Sequence, residues 1–190
     1  MHSHNELRQR NRQLRAALDS DAREQAGKRL FERISVMDEF LQAERIATYF
    51  AVNGEIDLTA IIDFALACGK QVYLPNLDRQ SLRFSPYFHD QKMRINKFKL
   101  PEPDVGDDEM IEPDQLNLVL APLVVFDADG NRIGMGGGFY DRSFAFRKNP
   151  DCSLPLLIGV AHELQRVDSI LPEDWDVPLD RVVTDQASYP

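Results

Sequence analysis

Apolar positions near the start of the chain recur about every three to four residues, which is the spacing of one face of an α-helix. A first stripe holds Leu7, Asn11, Leu14 and Leu18. A second stripe holds Ala22, Ala26, Leu30, Ile34 and Met37. Asp19-Ser20-Asp21 lies between the stripes and offers side chains that cap a helix N-terminus. The pattern therefore predicts two helices that are separated at this segment.

Beyond these helices, short apolar runs alternate with amphipathic segments. Strands are predicted at 45–51, 71–75, 82–87, 118–121, 156–161 and 181–184. Helices are predicted at 57–68 and from about residue 138 to 147. This alternation predicts an α/β fold with three layers, in which a mainly parallel sheet is flanked by helices. Ligands bind such sheets outside the carboxyl ends of the strands, so we expect a site directly after residues 118–121.

Two stretches lack a regular pattern. Residues 88–115 are rich in proline, glycine and charge, and a long loop of this kind inside a domain is usually functional or disordered. The last residues, Gln186–Pro190, are expected to be disordered.

The length of 190 residues fits one hydrophobic core, so residues 1–190 are predicted to form a single domain.

Composition narrows the classes of partner. Hydrophobic residues make up 43% of the chain and charged residues 28%, as in ordinary globular proteins. A net charge of −9 argues against non-specific binding to nucleic acid or to anionic membranes. No apolar run approaches the roughly 18 residues of a membrane span, and the polar N-terminus lacks the apolar region of a secretory signal. Cys68 and Cys152 are isolated thiols, which suits a reducing compartment, so we expect a cytoplasmic protein.

Glycine is concentrated in one segment, Gly130–Arg142, which reads GNRIGMGGGFYDR. Glycine allows the backbone to take positive φ angles and to bring its N–H groups close to an anion, for which phosphate is the simplest candidate. A P-loop is excluded because the chain has no Gly-Lys-Ser or Gly-Lys-Thr, and a dinucleotide motif is excluded because Phe139 replaces its last glycine. A tight turn without a ligand is the structural alternative.

A face of three arginines, Arg8, Arg12 and Arg15, is also predicted on the first helix.

The residues Pro122–Arg142, with Phe126-Asp127, Gly130, Arg132 and the run from Gly136 to Arg142, resemble the 5-formyltetrahydrofolate cyclo-ligase family. This family is also called 5,10-methenyltetrahydrofolate synthetase. Further similarities follow in order along the chain at Ile46-Ala47, Tyr49, Glu55-Ile56-Asp57, Val72–Pro75, Asn96–Pro103, Ile158–Ala161, Gln165, Asp176-Val177 and Asp180–Thr184. The resemblance implies the layered scaffold that is shared with sugar-phosphate isomerases and CoA-transferases.

The resemblance implies conversion of 5-formyltetrahydrofolate to 5,10-methenyltetrahydrofolate, coupled to hydrolysis of ATP to ADP and phosphate with Mg²⁺. The formyl oxygen would be phosphorylated, the N10 amine would attack the formyl carbon, and phosphate would leave. A monomer that acts on these small molecules is expected. Two alternatives stay open at the level of sequence: another reaction on a similar scaffold, or a folate- or nucleotide-binding protein without activity.

Site residues carry over from the resemblance position by position. Contacts to ATP are implied for His4, Asn5, Arg8, Arg12, Arg132, Gly134, Met135, Gly136, Gly137, Gly138, Phe139 and Tyr140. Contacts to the folate are implied for Phe50, Glu55, Phe98, Leu100 and Tyr140. The catalytic set is Arg132, Tyr140 and Asp141, and the Mg²⁺ ligands are Asp141 and Asp180, with Asp176 as an alternative to Asp180. The chain departs from its relatives at Met135 and Gly137, where some carry basic side chains, at His4, where lysine is frequent, and at Lys99, where glycine is common.

Overall fold

The computed structural model of the chain describes residues 3–190, which contain five α-helices and eleven β-strands. The helices are α1 (His4–Ala16), α2 (Ser20–Ile34), α3 (Asp38–Gln42), α4 (Thr59–Ala67) and α5 (Phe139–Ser143). The strands are β1 (Arg45–Ala47), β2 (Gln71–Asp78), β3 (Ser81–Tyr87), β4 (Met93–Ile95), β5 (Pro101–Pro103), β6 (Leu118–Pro122), β7 (Val125–Phe126), β8 (Arg132–Ile133), β9 (Leu156–Ala161), β10 (Arg181–Thr184) and β11 (Ser188–Tyr189). None of the helices within 3–190 is long and apolar enough to cross a membrane.

Seven strands form the central sheet in the order β11-β10-β9-β6-β1-β2-β3. The five inner strands pair in parallel, and β3 and β11 add antiparallel edges. The predicted α/β fold with a mainly parallel sheet is therefore confirmed. Because β1 lies between β2 and β6, the direction in which the sheet grows reverses between β1 and β6. The loops that follow these two strands diverge, and the crevice between them is where ligands bind in sheets of this kind.

The strands send alternate side chains to two faces, as a strand buried on both sides must. From β6, Leu118 and Leu120 enter a cluster beneath α2, α3 and α4, whereas Val119 and Ala121 enter a cluster on the opposite face. The opposite cluster is covered by Phe144 at the end of α5. The sheet is thus the middle of three layers, and its β6 is apolar on both faces.

Local capping explains where the first two helices begin. The Ser3 hydroxyl accepts the N–H of Glu6, and the Glu6 carboxylate accepts the N–H of Ser3. This reciprocal pair satisfies donors that have no partner within the helix. The Asp19 carboxylate accepts the N–H of Ala22 at 2.8 Å and begins α2 in the same way. The predicted break between the two helices is confirmed.

Four predicted elements differ from the structure. The first strand ends at Ala47 rather than at residue 51, because the chain leaves the sheet to form the loop at the crevice. The helix predicted over 138–147 is the short α5, and a single 3₁₀ turn, Ala145–Lys148, follows the fully buried Phe144. The irregular stretch 88–115 contains the β4–β5 hairpin. The prediction of a disordered C-terminus is wrong, because β11 pairs with β10.

A second hairpin, β7–β8, was not predicted and positions the glycine-rich segment. Its turn is held by the Asp127 carboxylate, which is 1% exposed. The carboxylate accepts the N–H groups of Asp129 and Asn131, the Asn131 side-chain amide, and the N–H of Ile170. Hydrogen bonds to an ionised acceptor are stronger than neutral ones. One side chain therefore fixes the turn that leads into Arg132 and ties it to the segment around Ile170.

We expect Asp127→Ala to lower the free energy of unfolding by about 3 kcal/mol, because buried N–H groups would lose their only acceptor. Denaturant titration measures the loss. Asp129→Ala is the matched control, since Asp129 lies in the same turn with an exposed side chain. Equal stability of the two variants would show that Asp127 does not organise the hairpin.

Candidate functional site

The crevice at the carboxyl ends of β1 and β6 collects the residues singled out from the sequence. The loop after β1 contributes Glu55, and the segment after β6 contributes Arg132, Tyr140 and Asp141. Helix α1 packs against the β7–β8 hairpin through Leu7 and so lies beside both segments. The site that was predicted after the fourth central strand is therefore part of a larger one, which two loops and a helix build together.

In the glycine segment, two carbonyl groups accept hydrogen bonds from arginines, whereas a run of N–H groups has no partner. The Gly134 carbonyl accepts Arg8 Nε at 2.8 Å, and the Gly137 carbonyl accepts Arg142 Nη2 at 2.6 Å. Gly136 and Gly138 have φ angles of 93° and 63°, which side chains disfavour. Within residues 3–190, the N–H groups of Met135–Phe139 have no hydrogen-bond acceptor. These donors are available to an anion, although α5 is too short to add a strong helix dipole.

Arg132 and Asp141 form an ion pair across the end of this segment. Arg132 Nη2 donates to Asp141 Oδ1 at 2.7 Å, and the side chains are 8% and 22% exposed. Arg132 Nη1 donates to the Val177 carbonyl, and the Val177 N–H donates to Asp141 Oδ1 at 3.3 Å. The pair thus joins β8, α5 and the loop before β10. The second carboxylate oxygen of Asp141 has no such partner among the described residues.

Tyr140 connects the two parts of the crevice. Its ring stacks on Phe144 with centroids 6.0 Å apart and an angle of 22° between the planes. Burial raises the pKa of the Tyr140 phenol, the Glu55 carboxylate raises it further, and Arg132 opposes both effects. The phenol is therefore neutral at physiological pH and acts as a hydrogen-bond donor. Glu55 and Arg132 shift the pKa of this phenol in opposite directions, and Arg132 also pairs with Asp141, the next residue of α5.

Glu55 is held at the other end of the crevice with only 10% of its side chain exposed. Its carboxylate accepts the Val52 N–H at 3.1 Å and lies 3.8 Å from Arg15 Nη1. Burial raises the pKa of Glu55, whereas the Val52 N–H and Arg15 oppose the shift. Phe50 lies in the same loop and packs edge-on against Tyr87, with centroids 5.2 Å apart.

Helix α1 brings its polar residues to different places. Arg8 reaches the glycine segment, and Asn5 Oδ1 accepts Arg8 Nη1 at 2.8 Å. His4 Nε2 lies 3.2 Å from the Leu171 carbonyl oxygen, and Arg12 is exposed. Of the three arginines predicted on one face of α1, Arg15 is fully buried, together with Leu7 and Asn11. The i, i+4, i+8 spacing from Leu7 through Asn11 to Arg15 is the signal in the sequence for this burial.

The β4–β5 hairpin approaches the glycine segment from the side. The rings of Phe98 and Phe139 meet edge-on with centroids 5.9 Å apart. Asn96 Oδ1 accepts the N–H groups of Phe98 and Leu100, and Asn96 Nδ2 donates to Glu102, which is 4% exposed. This network fixes the hairpin tip, so the structure brings Phe98 next to Phe139, and Leu100 lies two residues further along the same tip.

Asp180 lies apart from these residues. Its carboxylate accepts the Leu157 N–H at 2.7 Å and pairs with Arg147 Nη2 at 2.7 and 3.0 Å. Leu157 is near the start of β9, so Asp180 sits at the amino ends of the strands. Asp176 accepts the Glu173 N–H within its own loop. Residues 3–190 hold no cluster of three or more His, Cys, Asp or Glu side chains suited to a metal ion. Asp141 pairs with Arg132 and Asp180 pairs with Arg147, and metal binding by either carboxylate stays a prediction.

Two surface cavities flank the crevice. One of about 270 Å³ opens beside Arg132 and is lined by Lys148 and the loop from Pro172 to Pro178. The other, of about 480 Å³, lies between the start of α2 and the loops after β9 and β10, and does not touch the glycine segment. We place the site by its convergent polar groups rather than by cavity size, because the larger cavity contains none of the residues predicted to act.

Comparison with known proteins identifies the family of the chain. Residues 1–185 match the 5-formyltetrahydrofolate cyclo-ligase family. The chain is 36% identical over 177 residues to the 5-formyltetrahydrofolate cyclo-ligase of Haemophilus influenzae, covering 92% of this chain and 93% of that protein. It is 33% identical over 180 residues to the enzyme of that name from Escherichia coli K12, covering 91% and 95%.

The solved structures support the same assignment. The NMR structure of Aquifex aeolicus 5,10-methenyltetrahydrofolate synthetase superposes with a TM-score of 0.84 at 26% identity, covering 98% of this chain and 91% of that one. The fold is therefore that of an α/β ligase. The chain belongs to the 5-formyltetrahydrofolate cyclo-ligase family, and the resemblance inferred from its sequence is confirmed.

We expect Gly138→Ala to lower the free energy of unfolding by about 1–2 kcal/mol, because an alanine is strained at a left-handed position. Its Cβ would also lie 2.5 Å from Nη1 of Arg142, whose Nη2 donates to the Gly137 carbonyl. Gly134→Ala is the control, since its Cβ meets no atom within 4 Å and its φ is not left-handed. Denaturant titration compares the two; a loss as large in Gly134→Ala would contradict the role of backbone strain at Gly138.

Proposed function

We propose that this protein converts 5-formyltetrahydrofolate to 5,10-methenyltetrahydrofolate with hydrolysis of ATP to ADP and phosphate. The observation that carries the proposal is the convergence of unpaired N–H groups, Arg132, Tyr140, Asp141 and the buried Glu55 on one crevice, in a chain of the cyclo-ligase family. An anion cradle at one end and a buried carboxylate at the other suit two different substrates.

The glycine segment is the proposed site of the ATP phosphates. The N–H groups of Met135–Phe139 would donate to phosphate oxygens, and Arg8 and Arg132 supply positive charge at the two ends of the segment. Phosphoryl transfer requires mainly the positioning of the γ-phosphate and the neutralisation of its developing charge. Asn5 supports Arg8, and we expect His4 and Arg12 to contribute at the outer edge of the same region.

The opposite end is the proposed folate site. The Glu55 carboxylate would accept paired hydrogen bonds from the amino-pyrimidinone edge of the pterin ring. Phe50 on one side, with Phe98 and Leu100 on the hairpin, would enclose the ring system and exclude water. Tyr140 lies between the two ends, where its neutral phenol can donate a hydrogen bond to the reacting groups.

The order of bond changes follows from the poor leaving ability of an amide-like oxygen. Transfer of the γ-phosphoryl group to the formyl oxygen gives an activated iminium phosphate. The N10 amine then attacks the formyl carbon, a C–N bond forms, and the C–O bond breaks as phosphate leaves. The residues of the crevice bind and orient the two reactants, and the mechanism needs no covalent bond to the protein.

The residues around Asp141 fit a magnesium ion. Mg²⁺ prefers oxygen ligands and is usually held by one or two carboxylates together with phosphates and water. Asp141 keeps one carboxylate oxygen free of Arg132 and Val177, so it can be the protein ligand, and the ion would neutralise phosphate charge. Asp180 remains the second predicted ligand. A monomeric, cytoplasmic protein of one domain, with no nucleic acid or membrane partner, also remains our expectation.

The proposed reaction is tested by mixing purified protein with 5-formyltetrahydrofolate and Mg²⁺, with and without ATP, and following the methenyl product by its absorbance. We expect product only when ATP is present. Binding of 5-formyltetrahydrofolate without ATP-dependent product would instead assign the protein to folate sequestration, and the enzymatic proposal would be wrong.

The metal assignment predicts that Asp141→Asn lowers kcat about 100-fold, because loss of charge neutralisation costs about 2.7–4 kcal/mol in comparable sites. Binding of 5-formyltetrahydrofolate should change little. The Mg²⁺ concentration for half-maximal rate should rise, which separates a metal ligand from a residue that only orients Arg132. Asp129→Asn, an exposed carboxylate of the preceding turn, is the control.

The same Mg²⁺ titration on Asp180→Asn tests the second ligand. A raised Mg²⁺ requirement would support metal binding by Asp180. A normal requirement combined with a lower melting temperature would assign Asp180 to its ion pair with Arg147 and to the start of β9.

A further inference from the structure

Arg15 is a fully buried arginine that the proposed reaction does not use. Its side chain is 0% exposed at the end of α1. Nη1 donates to the Leu123 carbonyl at 3.3 Å and lies 3.8 Å from Glu55 Oε1. Leu123 follows β6 and Glu55 follows β1, so the guanidinium lies between the two loops that diverge at the crevice.

Burying this charge is unfavourable for folding. Nε and Nη2 of Arg15 have no hydrogen-bond acceptor among the described residues. Desolvation lowers the pKa of Arg15, and only part of this effect is opposed by Glu55. An unsatisfied charged group in a core calls for an explanation, and replacing such groups with apolar residues often increases stability. Stability alone therefore does not account for an arginine at this position.

The surroundings of Glu55 indicate what Arg15 does. The titratable groups that face this carboxylate are Arg15 from α1, Tyr49 from the loop after β1, and Tyr140 from α5. Tyr49 is buried, Tyr140 is half-buried, and Arg15 is the positive charge that acts on Glu55. The Val52 N–H and Arg15 both favour the carboxylate over the carboxylic acid, and Arg15 is the charged group of the two.

The backbone supports the same contact. Gly54, next to Glu55, has a φ of 75°, and a Cβ there would lie 3.1 Å from the Arg15 carbonyl oxygen. The loop thus packs closely on the end of α1. His162 Nε2 lies 3.1 Å from the Gly54 carbonyl oxygen and holds the loop from the other side.

We propose that Arg15 is a positioning residue that fixes the place and the negative charge of the Glu55 carboxylate for recognition of the folate ring. This inference rests on the proposed function and deepens it. Arg8 lies seven residues earlier on α1, a distance of about 10.5 Å along the helix. Because Arg8 donates to the Gly134 carbonyl, α1 contacts both the proposed phosphate site and the proposed folate site.

Arg15→Met should raise the KM for 5-formyltetrahydrofolate about tenfold or more and leave the KM for ATP unchanged, because Glu55 loses its counter-charge. Arg15→Lys, which keeps the charge, should restore most of the affinity. Arg10→Met, an exposed arginine of the same helix, is the control. Melting curves establish that each variant is folded. Equal effects of Arg15→Met on both KM values would overturn the proposal.

The pH profile provides a readout that a purely structural role would not change. A neutral Glu55 can no longer accept both hydrogen bonds, so kcat/KM for the folate falls as the carboxylate is protonated. Loss of Arg15 removes an effect that lowers the pKa of Glu55, so the acidic limb should move to higher pH. Rates without enzyme are subtracted at each pH. If Arg15→Met does not fold, Arg15→Gln carries the test, and an unshifted limb in either variant contradicts the proposal.

A double-mutant cycle shows whether Arg15 acts through Glu55. In a Glu55→Gln background, Arg15→Met should cause little further loss of folate affinity. Additive losses would mean that Arg15 acts independently of Glu55 and that the inference is wrong. Wild-type protein without ATP-dependent turnover would disprove the proposed function instead; the cycle would then be measured on 5-formyltetrahydrofolate binding, which tests Arg15 separately.

Discussion

The reversal of strand order between β1 and β6 determines where the polar groups of this protein can meet. Parallel strands direct all their following loops to one edge, and the reversal makes the two central loops diverge. One loop carries Glu55, and the other continues through the β7–β8 hairpin into Arg132 and the glycine segment. Residues far apart in sequence therefore face one crevice because of the topology of the sheet, whereas Asp180 falls at the opposite edge.

Arginine side chains connect the segments that this topology brings together. Arg15 bridges the Leu123 carbonyl and Glu55, Arg132 bridges the Val177 carbonyl and Asp141, and Arg147 bridges the Cys152 carbonyl and Asp180. In each case one guanidinium joins a backbone carbonyl of one segment to a carboxylate of another. The pair between Arg15 and Glu55 is the most buried of the three, and removing one partner of a buried pair typically costs about 3–5 kcal/mol because the other charge is left uncompensated. Loops that lack regular hydrogen bonding are thereby held in one arrangement.

Periodicity predicted what depends on local sequence. The alternation of Leu118, Val119, Leu120 and Ala121 between two faces identified β6, and the acidic residues before α2 identified its cap. The apolar pattern predicted a β1 that is too long, because Tyr49 continues the apolar run beyond the strand. Tyr49 is in fact buried in the loop, where its hydroxyl donates to the Ile56 carbonyl. The C-terminus was predicted as disordered because its pairing with β10 is a tertiary contact with no local signal.

The site was recoverable from the sequence only in part. The run of glycines is enough to predict an anion site in this segment. The resemblance to a known family then identified Tyr140, Asp141 and Glu55 as candidate site residues. Arg15 fits both a charged face and a buried stripe of α1, and the choice between them depends on Glu55, which lies in a distant loop. A prediction from sequence places charged side chains on the surface, because they are almost never fully buried unless they are paired. A buried arginine is therefore identified only when its partner is known.

The crevice has two ends, at Glu55 and at the glycine segment, and a side that is formed by the β4–β5 hairpin. The ends and the side are held in place by different interactions. Glu55 and the glycine segment are fixed by buried charges and by arginine–carbonyl hydrogen bonds, whereas Phe98 meets Phe139 through an apolar edge and is 52% exposed. In the proposed reaction, the groups that would bind the phosphates and the pterin must be preorganised. The tip of the hairpin is organised by Asn96 and Glu102, and its contact with Phe139 involves no charge pair. The side of the crevice is therefore closed by an apolar contact, whereas its two ends are held by charged groups.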